Sequence, residues 1–460
     1  MSSAVLCAPA AVQPAAVAPI VPGATPLLPV VGADTRVPLV PGGTARYVDL
    51  DTAASSRALE QVAARVTEAL PLYSSVHRGA GYLSQVSTAL YEDARATVAG
   101  FVGARGDDVC VLVRHTTDAL NLLAGCVPDG GAVLVLDCEH HADLLPWQQR
   151  GPVTVLPTGA TVVETLRALG TELAAAPYAL IAVTGASNVT GESLPLDEVV
   201  QLAHAAGARV LVDGAQLVPH RRFSLAGSGA DYVAFSGHKT YAPFGSGALV
   251  GRRDWLDAAP AYLAGGGAVQ EVTVERTSWV AAPHRHEGGS PNVLGAVALA
   301  AACDALAALP AGALAEHERA LRERLVAGLA ALPGVRVLRI WADSAEPTGV
   351  VSFTVAGADP GLVAAYLSAE HGIGVRDGRF CAHPLLARLG VPAGALRASV
   401  GVGSSLDDVE ALLGALDAFL SAGPQVPYAQ VAGRWQPADD PRATDLSSAA
   451  RGAGCGPSVR

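Results

Sequence analysis

The sequence of 460 residues contains a single lysine, Lys239, although its basic residues number 31. All the others are arginine, which carries charge and binds carboxylate or phosphate but does not readily lose a proton or form an imine. A lysine amine does both, so it can hold a carbonyl compound as a Schiff base. Lys239 lies in FSGHKTY, directly after a predicted strand that ends at Phe235. A leftover surface lysine is the structural alternative, and the polar, glycine-containing loop argues against it.

Asp213 lies 26 residues before Lys239, in LVDGAQ, at the predicted end of another strand. A carboxylate there can pair with a protonated ring nitrogen and keep the ring of pyridoxal 5'-phosphate (PLP) an effective electron acceptor. The structural alternative is an ordinary turn residue at the end of a strand. Together, Asp213 and Lys239 predict a PLP site with the cofactor held on Lys239.

A third pattern, RHTTDALNLLAG, places Thr116, Thr117 and Asp118 at a predicted strand-to-helix junction. Hydroxyl groups and free backbone N–H groups at a helix N-terminus bind anions, which suits the cofactor phosphate. Threonine and aspartate are also ordinary N-cap residues. The pattern therefore agrees with a phosphate site without requiring one.

Short apolar runs alternate with helical patterns, such as Val162–Ala175 and Leu196–Ala206, between residues 107 and 251. This alternation predicts an α/β fold with a mostly parallel sheet and helices on both faces. Ligands bind such sheets at the carboxyl ends of the strands, where Asp213 and Lys239 lie. The predicted strands are Val109–Val113, Ala132–Asp137, Val153–Leu156, Ala179–Thr184, Arg209–Asp213, Tyr232–Phe235 and Ala248–Gly251.

Two long helical patterns, Leu294–Leu309 and Leu314–Leu332, precede a strand and helix pattern over 335–420 that predicts a smaller α+β domain. The predicted organisation is an Ala/Pro-rich flexible extension (1–43), a large PLP-binding domain (44–310) whose N-terminal segment lies near the small domain, a small C-terminal domain (311–423) and a flexible tail (424–460).

Composition narrows the possible partners and the location. The formal net charge is −11 and basic residues are not clustered, which argues against nucleic-acid or anionic-membrane partners. The sequence contains no stretch of 18 uninterrupted apolar residues, so it predicts no membrane span. The seven cysteines are odd in number and dispersed, without a C-x-x-C pair. That distribution predicts reduced thiols in the cytoplasm, with neither a disulfide framework nor a metal site.

Ten blocks between Leu50 and Leu420 resemble the class V aminotransferase superfamily and, within it, the cysteine desulfurase and selenocysteine lyase branch. The resemblance implies a PLP-dependent transferase of fold type I that acts as a homodimer on a small amino acid. The blocks are LDTAAS (50–55), SVHRGAGYLS (75–84), RHTTDALN (114–121), EHHADLLPW (139–147), TGASNVTGE (184–192), VLVDGAQ (210–216), FSGHKTYAPFGSGAL (235–249), RHEGGSPN (285–292), VRDGRFCAHPL (375–385) and LRASVGV (396–402).

By this resemblance, His140 stacks on the face of the pyridine ring and assists proton transfer. One of two adjacent histidines is often merely exposed, and only the position within EHHADLLPW favours His140 over His141. Gln216 is expected near the ring hydroxyl, and Asn188 beside both cofactor and substrate.

The resemblance also implies a set of phosphate contacts. Thr117, Ser236 and His238 are expected to contact the phosphate, with Thr116 beside them. Ser290 occupies a position where the family usually has a threonine that reaches the phosphate of the partner subunit. The hydroxyl is retained, so the departure is mild.

Substrate recognition is expected from three further residues. Arg397 should bind the substrate carboxylate, a task suited to a planar donor with two prongs. Arg376 and His77 are expected to assist in binding the substrate.

Cys381 decides which reaction the sequence predicts. In the desulfurases that this chain resembles, the matching loop cysteine attacks the substrate sulfur and becomes a persulfide. Attack requires the thiolate, which the positive charge of Arg379 favours. The structural alternative is that Cys381 is one of seven ordinary cysteines. The family commonly has histidine just before this cysteine, whereas here Phe380 occupies that position, which leaves the proton route and the sulfur acceptor open.

Three functional hypotheses follow. The first is a cysteine desulfurase that converts L-cysteine to L-alanine, forms a persulfide on Cys381 and passes sulfur to an acceptor protein. The second keeps the cofactor but performs another class V reaction on a small amino acid, as an aminotransferase, a C–S or selenocysteine lyase or an epimerase. The third is a protein of this fold that delivers sulfur or acts as a scaffold without turnover. Retention of Lys239, Asp213, His140 and Arg397 argues against the third.

Overall fold

The computed structural model describes residues 23–77, 79–442 and 444. The outermost parts of the two predicted flexible ends, 1–22 and 445–460, lie outside the described residues. The strands are β1 Arg36–Pro38, β2 Thr44–Arg46, β3 Val48–Asp49, β4 Val109–Val113, β5 Val133–Leu136, β6 Val153–Leu156, β7 Leu180–Thr184, β8 Arg209–Asp213, β9 Tyr232–Ser236, β10 Gly247–Gly251, β11 Val269–Val272, β12 Thr277–Trp279, β13 Val335–Val337, β14 Val350–Val355, β15 Ile373–Gly374, β16 Arg376–Gly378, β17 Ala395–Ser399, β18 Tyr428–Val431 and β19 Arg434–Pro437. The helices are α1 Glu60–Ala69, α2 Tyr82–Phe101, α3 Thr116–Ala124, α4 Leu145–Arg150, α5 Val162–Ala175, α6 Leu196–Ala205, α7 Leu225–Ser228, α8 Arg253–Ala258, α9 Val293–Ala307, α10 Ala313–Ala331, α11 Pro360–His371, α12 His383–Arg388 and α13 Leu406–Ala422.

Seven strands form the main sheet in the order β4-β10-β9-β8-β7-β5-β6. Six of them run in one direction, and β10 is antiparallel to both β4 and β9. The predicted mostly parallel α/β sheet is therefore confirmed, with β10 as its antiparallel member. All seven predicted strands are present, and their bounds agree to within one residue.

Both faces of the main sheet are covered, which explains why its strands are almost continuously apolar. On β5, Val133 and Val135 pack into a core cluster with α3 and α4. Leu134 and Leu136 point to the opposite face and pack into a cluster with α5 and α6. Side chains alternate across a strand, so a run of four apolar residues supplies both layers.

A second sheet has the order β13-β14-β17-β16, and all of its pairings are antiparallel. Helices α10, α11 and α13 pack on it around a core that includes Leu321, Phe353, Leu367 and Leu412. The N-terminal strand β3 pairs with β15, so the chain before the main sheet lies against this smaller unit. A smaller α+β unit is thus present, while its bounds at 311 and 423 stay predictions.

The described parts of the two ends differ from the flexible segments expected there. Strands β1 and β2 form a hairpin, and the backbone N–H groups of Leu27 and Leu28 donate to the Val402 carbonyl at 2.6 and 3.1 Å. Strands β18 and β19 form another hairpin, in which the Tyr428 hydroxyl donates to Glu370 of α11 at 3.0 Å. These tertiary contacts hold the described parts of both ends in place, although their Pro-rich and polar composition suggested flexibility.

The described helices differ from membrane spans in length or in hydropathy. None of them is both long enough and apolar enough to cross a bilayer. Helix α9 is the most apolar of the long ones, and its residues are buried against α1 and α2. Its apolar composition therefore reflects a position in the protein core.

Candidate active site

A cavity of about 570 Å³ opens at the carboxyl ends of the central strands of the main sheet. This is the edge where a parallel α/β sheet places its ligand. Twelve of the predicted site residues line the cavity: Thr116, Thr117, His140, Asn188, Asp213, Gln216, Ser236, His238, Lys239, Arg376, Cys381 and Arg397. Residues that are up to 281 positions apart in the sequence are thereby brought to one place.

Lys239 lies in a tight turn directly after β9. The Lys239 and Thr240 backbone N–H groups lie 3.3 and 3.2 Å from the Ser236 carbonyl oxygen, which also accepts from the Thr240 hydroxyl at 3.0 Å. At Gly237 a Cβ atom would lie 2.8 Å from the Ser246 carbonyl oxygen, so a side chain does not fit there. The glycine therefore allows the close turn that points the lysine into the cavity.

The electrostatic environment of Lys239 favours a reactive amine. Burial lowers the pKa of Lys239 to about 8; Asp213 opposes this shift, Arg397 adds to it, and Cys381 opposes it. The neutral amine, which is the form that attacks a carbonyl group, is therefore more populated near neutral pH than in an exposed lysine.

Asp213 ends β8 and is 4% exposed. Its Oδ1 atom accepts from the Ala215 backbone N–H at 2.9 Å. Burial raises the pKa of Asp213, while the Ala215 N–H and the positive charge of Lys239 lower it. The remaining carboxylate oxygen is available to a cationic donor in the cavity.

The start of α3 forms one end of the cavity. The Thr116 backbone N–H donates to the Ser236 hydroxyl oxygen at 2.7 Å, and the two hydroxyl groups are 2.6 Å apart. Thr117 occupies the next position and is exposed. Burial, with Lys239 and His115 nearby, lowers the pKa of His238 to about 4, so its imidazole is neutral at pH 7. Hydroxyl groups and helix N–H groups thus converge where an anion fits.

His140 and Gln216 also line the cavity. Burial first, and then Lys239, lowers the pKa of His140 to about 3, so the ring is neutral. Its Nδ1 atom accepts from the Ala142 backbone N–H at 3.0 Å. The Gln216 amide donates to the Ala53 carbonyl at 2.6 Å, whereas none of the described residues donates to its buried Oε1 atom. That free acceptor is available to a bound hydroxyl group.

Arg397 projects from β17 and is 3% exposed. It donates to the Asn188 carbonyl at 2.9 Å and to Asp51 Oδ1 at 3.2 Å, and its guanidinium carbon lies 5.2 Å from the Phe380 ring centroid. Its buried Nε has no acceptor at hydrogen-bond distance within the described part of the chain. Arg376 is more exposed and lies 4.0 Å from Asp51. Two protein acceptors therefore hold the guanidinium in place, and further N–H groups, including Nε–H, are available to a ligand.

Cys381 lies in a strained loop between β16 and α12. Phe380 and Cys381 both adopt left-handed backbone conformations, with φ of 51° and 53°. Non-glycine residues adopt this conformation at an energetic cost, usually where function or surrounding contacts require it. The Asn188 side chain donates to the Phe380 carbonyl at 2.7 Å, and the His141 N–H donates to the Cys381 carbonyl at 2.8 Å.

The five cysteines in the described part of the chain differ sharply in exposure. Cys381 is exposed, whereas the other four are buried, and burial raises the pKa of each of their thiols. Thiols with raised pKa values form thiolate poorly. The four buried cysteines are Cys110, Cys126, Cys138 and Cys303.

Two predicted site residues, Ser290 and His77, are not brought to this cavity. Ser290 is exposed in the segment before α9. His77 Nε2 lies 2.8 Å from Glu92 Oε1, and its ring centroid is 5.0 Å from that of His284. A contribution from either residue to a site therefore requires a different neighbour, such as a second copy of the chain.

Several residues at or beside the cavity were missed at the level of sequence. Asp51 fixes Arg397, and Glu139 and Asp143 are buried next to Asp213. The available signal was the presence of acidic residues in the blocks LDTAAS and EHHADLLPW. Asp and Glu are almost never fully buried unless they are paired, so an acidic residue in a buried block indicates a specific partner. Nothing in the sequence alone paired them with Arg397 or with Asp213.

The fold and the cavity belong to a known class of protein. Residues 48–412 match the family model for aminotransferase class-V. Because the match covers more than half of the chain, the protein belongs to this family of PLP-dependent enzymes.

Within the family, the chain is similar to cysteine desulfurases. It is 37% identical to the cysteine desulfurase of Dickeya dadantii over 382 residues, covering 80% of this chain and 90% of that protein. A probable cysteine desulfurase of Mycolicibacterium paratuberculosis is also 37% identical, over 77% of this chain, which spans only 52% of that longer protein. The crystal structure of the Escherichia coli cysteine desulfurase CsdA, in an S-sulfonic acid form, superposes with a TM-score of 0.73 at 36% identity, covering 81% of this chain and 94% of that one.

Proposed function

We propose that the protein is a PLP-dependent cysteine desulfurase that converts L-cysteine to L-alanine and forms a persulfide on Cys381. The observation that carries this proposal is the opening of Lys239, Asp213 and the exposed Cys381 onto one cavity. A buried amine, a buried carboxylate and an accessible thiol together suit sulfur removal from a small amino acid. The similarity to cysteine desulfurases points to the same reaction.

The cavity residues fit PLP at each of its polar groups. Lys239 would bind its aldehyde carbon, and Asp213 would face its ring nitrogen. The start of α3 with Ser236 would accept the phosphate. The Oε1 atom of Gln216, to which no described residue donates, would accept from the ring hydroxyl. When bound, PLP supplies an electrophilic carbonyl and a ring that accepts electrons from the substrate.

Lys239 and His140 would divide the handling of the ring and the proton. Because the pKa of Lys239 is lowered to about 8, its Nζ can accept the α-proton of the substrate and return it. The neutral His140, whose Nδ1 is engaged by the Ala142 N–H, would orient the ring by stacking.

Cys381 would take the sulfur in a step that needs no external oxidant. Its thiolate attacks the sulfur of L-cysteine, so that a sulfur–sulfur bond forms and the carbon–sulfur bond breaks. The electron pair of the broken bond stays on carbon, which then gains a proton. The net products are L-alanine and the Cys381 persulfide.

The product ratio tests the proposal. With L-cysteine and PLP, the protein is expected to yield L-alanine and protein-bound sulfane sulfur in equal amounts during the first turnover. Alanine is measured by chromatography, and the persulfide by alkylation and mass spectrometry. A keto acid as the sole product would assign the protein to another class V reaction. Selenocysteine in a parallel assay would identify a selenocysteine lyase.

Arg397 is expected to bind the substrate carboxylate, so Arg397→Lys should mainly weaken substrate binding. Lysine keeps the charge but loses the planar fork, and a hydrogen bond to a charged group contributes about 1.5–3 kcal/mol. We expect KM for L-cysteine to rise about tenfold or more, with a smaller change in kcat. Arg336→Lys, at an exposed position on β13, is the matched control. An unchanged KM would remove Arg397 from this role.

We further propose that the protein acts in the cytoplasm as a homodimer and passes sulfur to an acceptor protein. The exposed positions of Ser290 and His77, away from the cavity of their own chain, suit contact with the cavity of a second copy. The exposure of Cys381 suits access by an acceptor thiol.

A further inference from the structure

Three acidic side chains meet behind the wall of the cavity. Glu139 follows β5, Asp143 lies in the next turn, and Asp213 ends β8, which is separated from β5 only by β7. Their exposed fractions are 1%, 0% and 4%. The order of the strands therefore places three carboxyl groups in one buried region.

The hydrogen bonds of the three groups are unequal. Asp213 accepts from a backbone N–H, and Asp143 Oδ1 accepts from Trp147 Nε1 at 3.2 Å. No donor lies within 3.5 Å, in hydrogen-bond geometry, of Asp143 Oδ2 or of either carboxylate oxygen of Glu139 among the described residues. The Thr184 backbone N–H interacts more weakly with Glu139 and lowers its pKa, but this is the smallest of the influences on that group. The carboxyl groups of Glu139 and Asp143 face each other, so a proton on one supplies the donor that the other lacks.

The groups around the cluster would not balance negative charges on both Glu139 and Asp143. Asp213 faces Glu139 and Asp143, and Lys239 faces Asp213. The buried thiol of Cys138 interacts with Glu139, and His140, the next residue in the chain, has a neutral ring. No salt bridge reaches Glu139 or Asp143 in the described part of the chain. Burial, together with the negative charge of Asp213, raises the pKa of both carboxyl groups well above their usual range.

We propose that Glu139 and Asp143 form a protonated acid pair, a set of two positioning residues that leaves Asp213 as the one negative charge facing the cofactor ring nitrogen. If Glu139 and Asp143 were ionised, their negative charges would favour protonation of Asp213, which would then lose its charge. If both are neutral, Asp213 can stay anionic next to the protonated ring nitrogen. The inference rests on PLP as the proposed cofactor but not on desulfuration.

The proposal has a defined effect on stability. Both carboxyl groups ionise near pH 4 in the unfolded chain and stay neutral in the folded apoprotein. Their stabilising effect is complete below that pH and is lost as pH rises toward the folded pKa. In this range each group shifts the folding equilibrium toward the unfolded state by about tenfold per pH unit. Glu139→Gln is neutral at every pH and should remove the contribution of Glu139.

The apoprotein carries the first test. Its infrared spectrum at pH 7 should contain the carbonyl stretch of a protonated carboxylic acid, shifted in D₂O and weakened in Glu139→Gln and Asp143→Asn. The urea midpoint of wild type should fall from pH 5 to pH 8 relative to that of Glu139→Gln. Glu271→Gln, at an exposed position on β11, should change neither result. Absence of the carbonyl band, or an identical pH dependence in wild type and Glu139→Gln, would overturn the acid pair.

PLP binding carries the second test. Glu139→Gln should bind PLP as wild type does, because the amide replaces a neutral acid of the same shape. Glu139→Ala should bind about tenfold more weakly, since water admitted beside Asp143 would let it ionise and shift Asp213 by about one pKa unit. Equal affinities in the two variants would overturn the positioning role. A missing pyridoxyl adduct on Lys239, with the carbonyl band present, would instead count against the proposed cofactor.

Discussion

Lys239→Ala is expected to abolish covalent retention of PLP and to reduce alanine formation by at least about 10³-fold. In the proposed mechanism the lysine amine is both the covalent anchor and the group that moves the α-proton, and general acid–base catalysis alone contributes roughly 10²–10⁴-fold. Borohydride reduction of the wild-type holoprotein, followed by digestion, should place a pyridoxyl mass on the peptide that contains residue 239. Since the chain has no second lysine, the assignment is unambiguous.

Lys239→Arg is the matched control for charge. Arginine keeps the positive charge near Asp213 but does not form an imine. It should therefore fold and lose the adduct as Lys239→Ala does. If the adduct were absent from the wild-type peptide, or if either variant kept wild-type alanine formation, the proposed site would be wrong.

Cys381→Ser is expected to eliminate the protein persulfide and to lower alanine formation from L-cysteine by about two orders of magnitude or more. A serine hydroxyl has nearly the same shape, but it is a far weaker nucleophile toward sulfur, because attack requires the thiolate. PLP binding should be unchanged, since the proposed cofactor contacts lie on Lys239, Asp213 and α3. Rapid-quench measurement of alanine, with mass spectrometry of the alkylated protein, gives both readouts.

Cys303→Ala is the control for loss of a thiol. Cys303 is buried in α9, away from the cavity, and its replacement should leave the persulfide yield intact. An unchanged rate of alanine formation in Cys381→Ser would mean that sulfur leaves without attack by this thiol. The protein would then be a C–S lyase of the same family.

The sequence predicted the main sheet and most of the cavity because both depend on local patterns. A buried parallel strand is a short apolar run, and functional residues follow directly after it, as Asp213 follows Leu211 and Val212. The topological rule for such sheets then brings Lys239 and Asp213 to one edge. The roles assigned to Arg397 and Cys381 needed the family resemblance, because these residues come from the second sheet and the loop beside it.

Other features depend on contacts that no local pattern encodes. The antiparallel direction of β10 is set by its pairing with both β4 and β9, which apolar composition does not reveal. The β18–β19 hairpin depends on Glu370, more than fifty positions earlier in the chain. The pairing of Asp51 with Arg397 spans 346 positions. Side-chain partners at such distances are decided by packing.

One backbone hydrogen bond links the loop that carries Cys381 to the segment that carries His140. The His141 N–H donates to the Cys381 carbonyl, and His141 is adjacent to the proposed ring-stacking residue. A displacement of the cysteine loop toward an acceptor would therefore pull on the segment that positions the ring. The transfer of sulfur from Cys381 to an acceptor would then alter the position of His140, and the site would accept the next substrate only after the loop had returned.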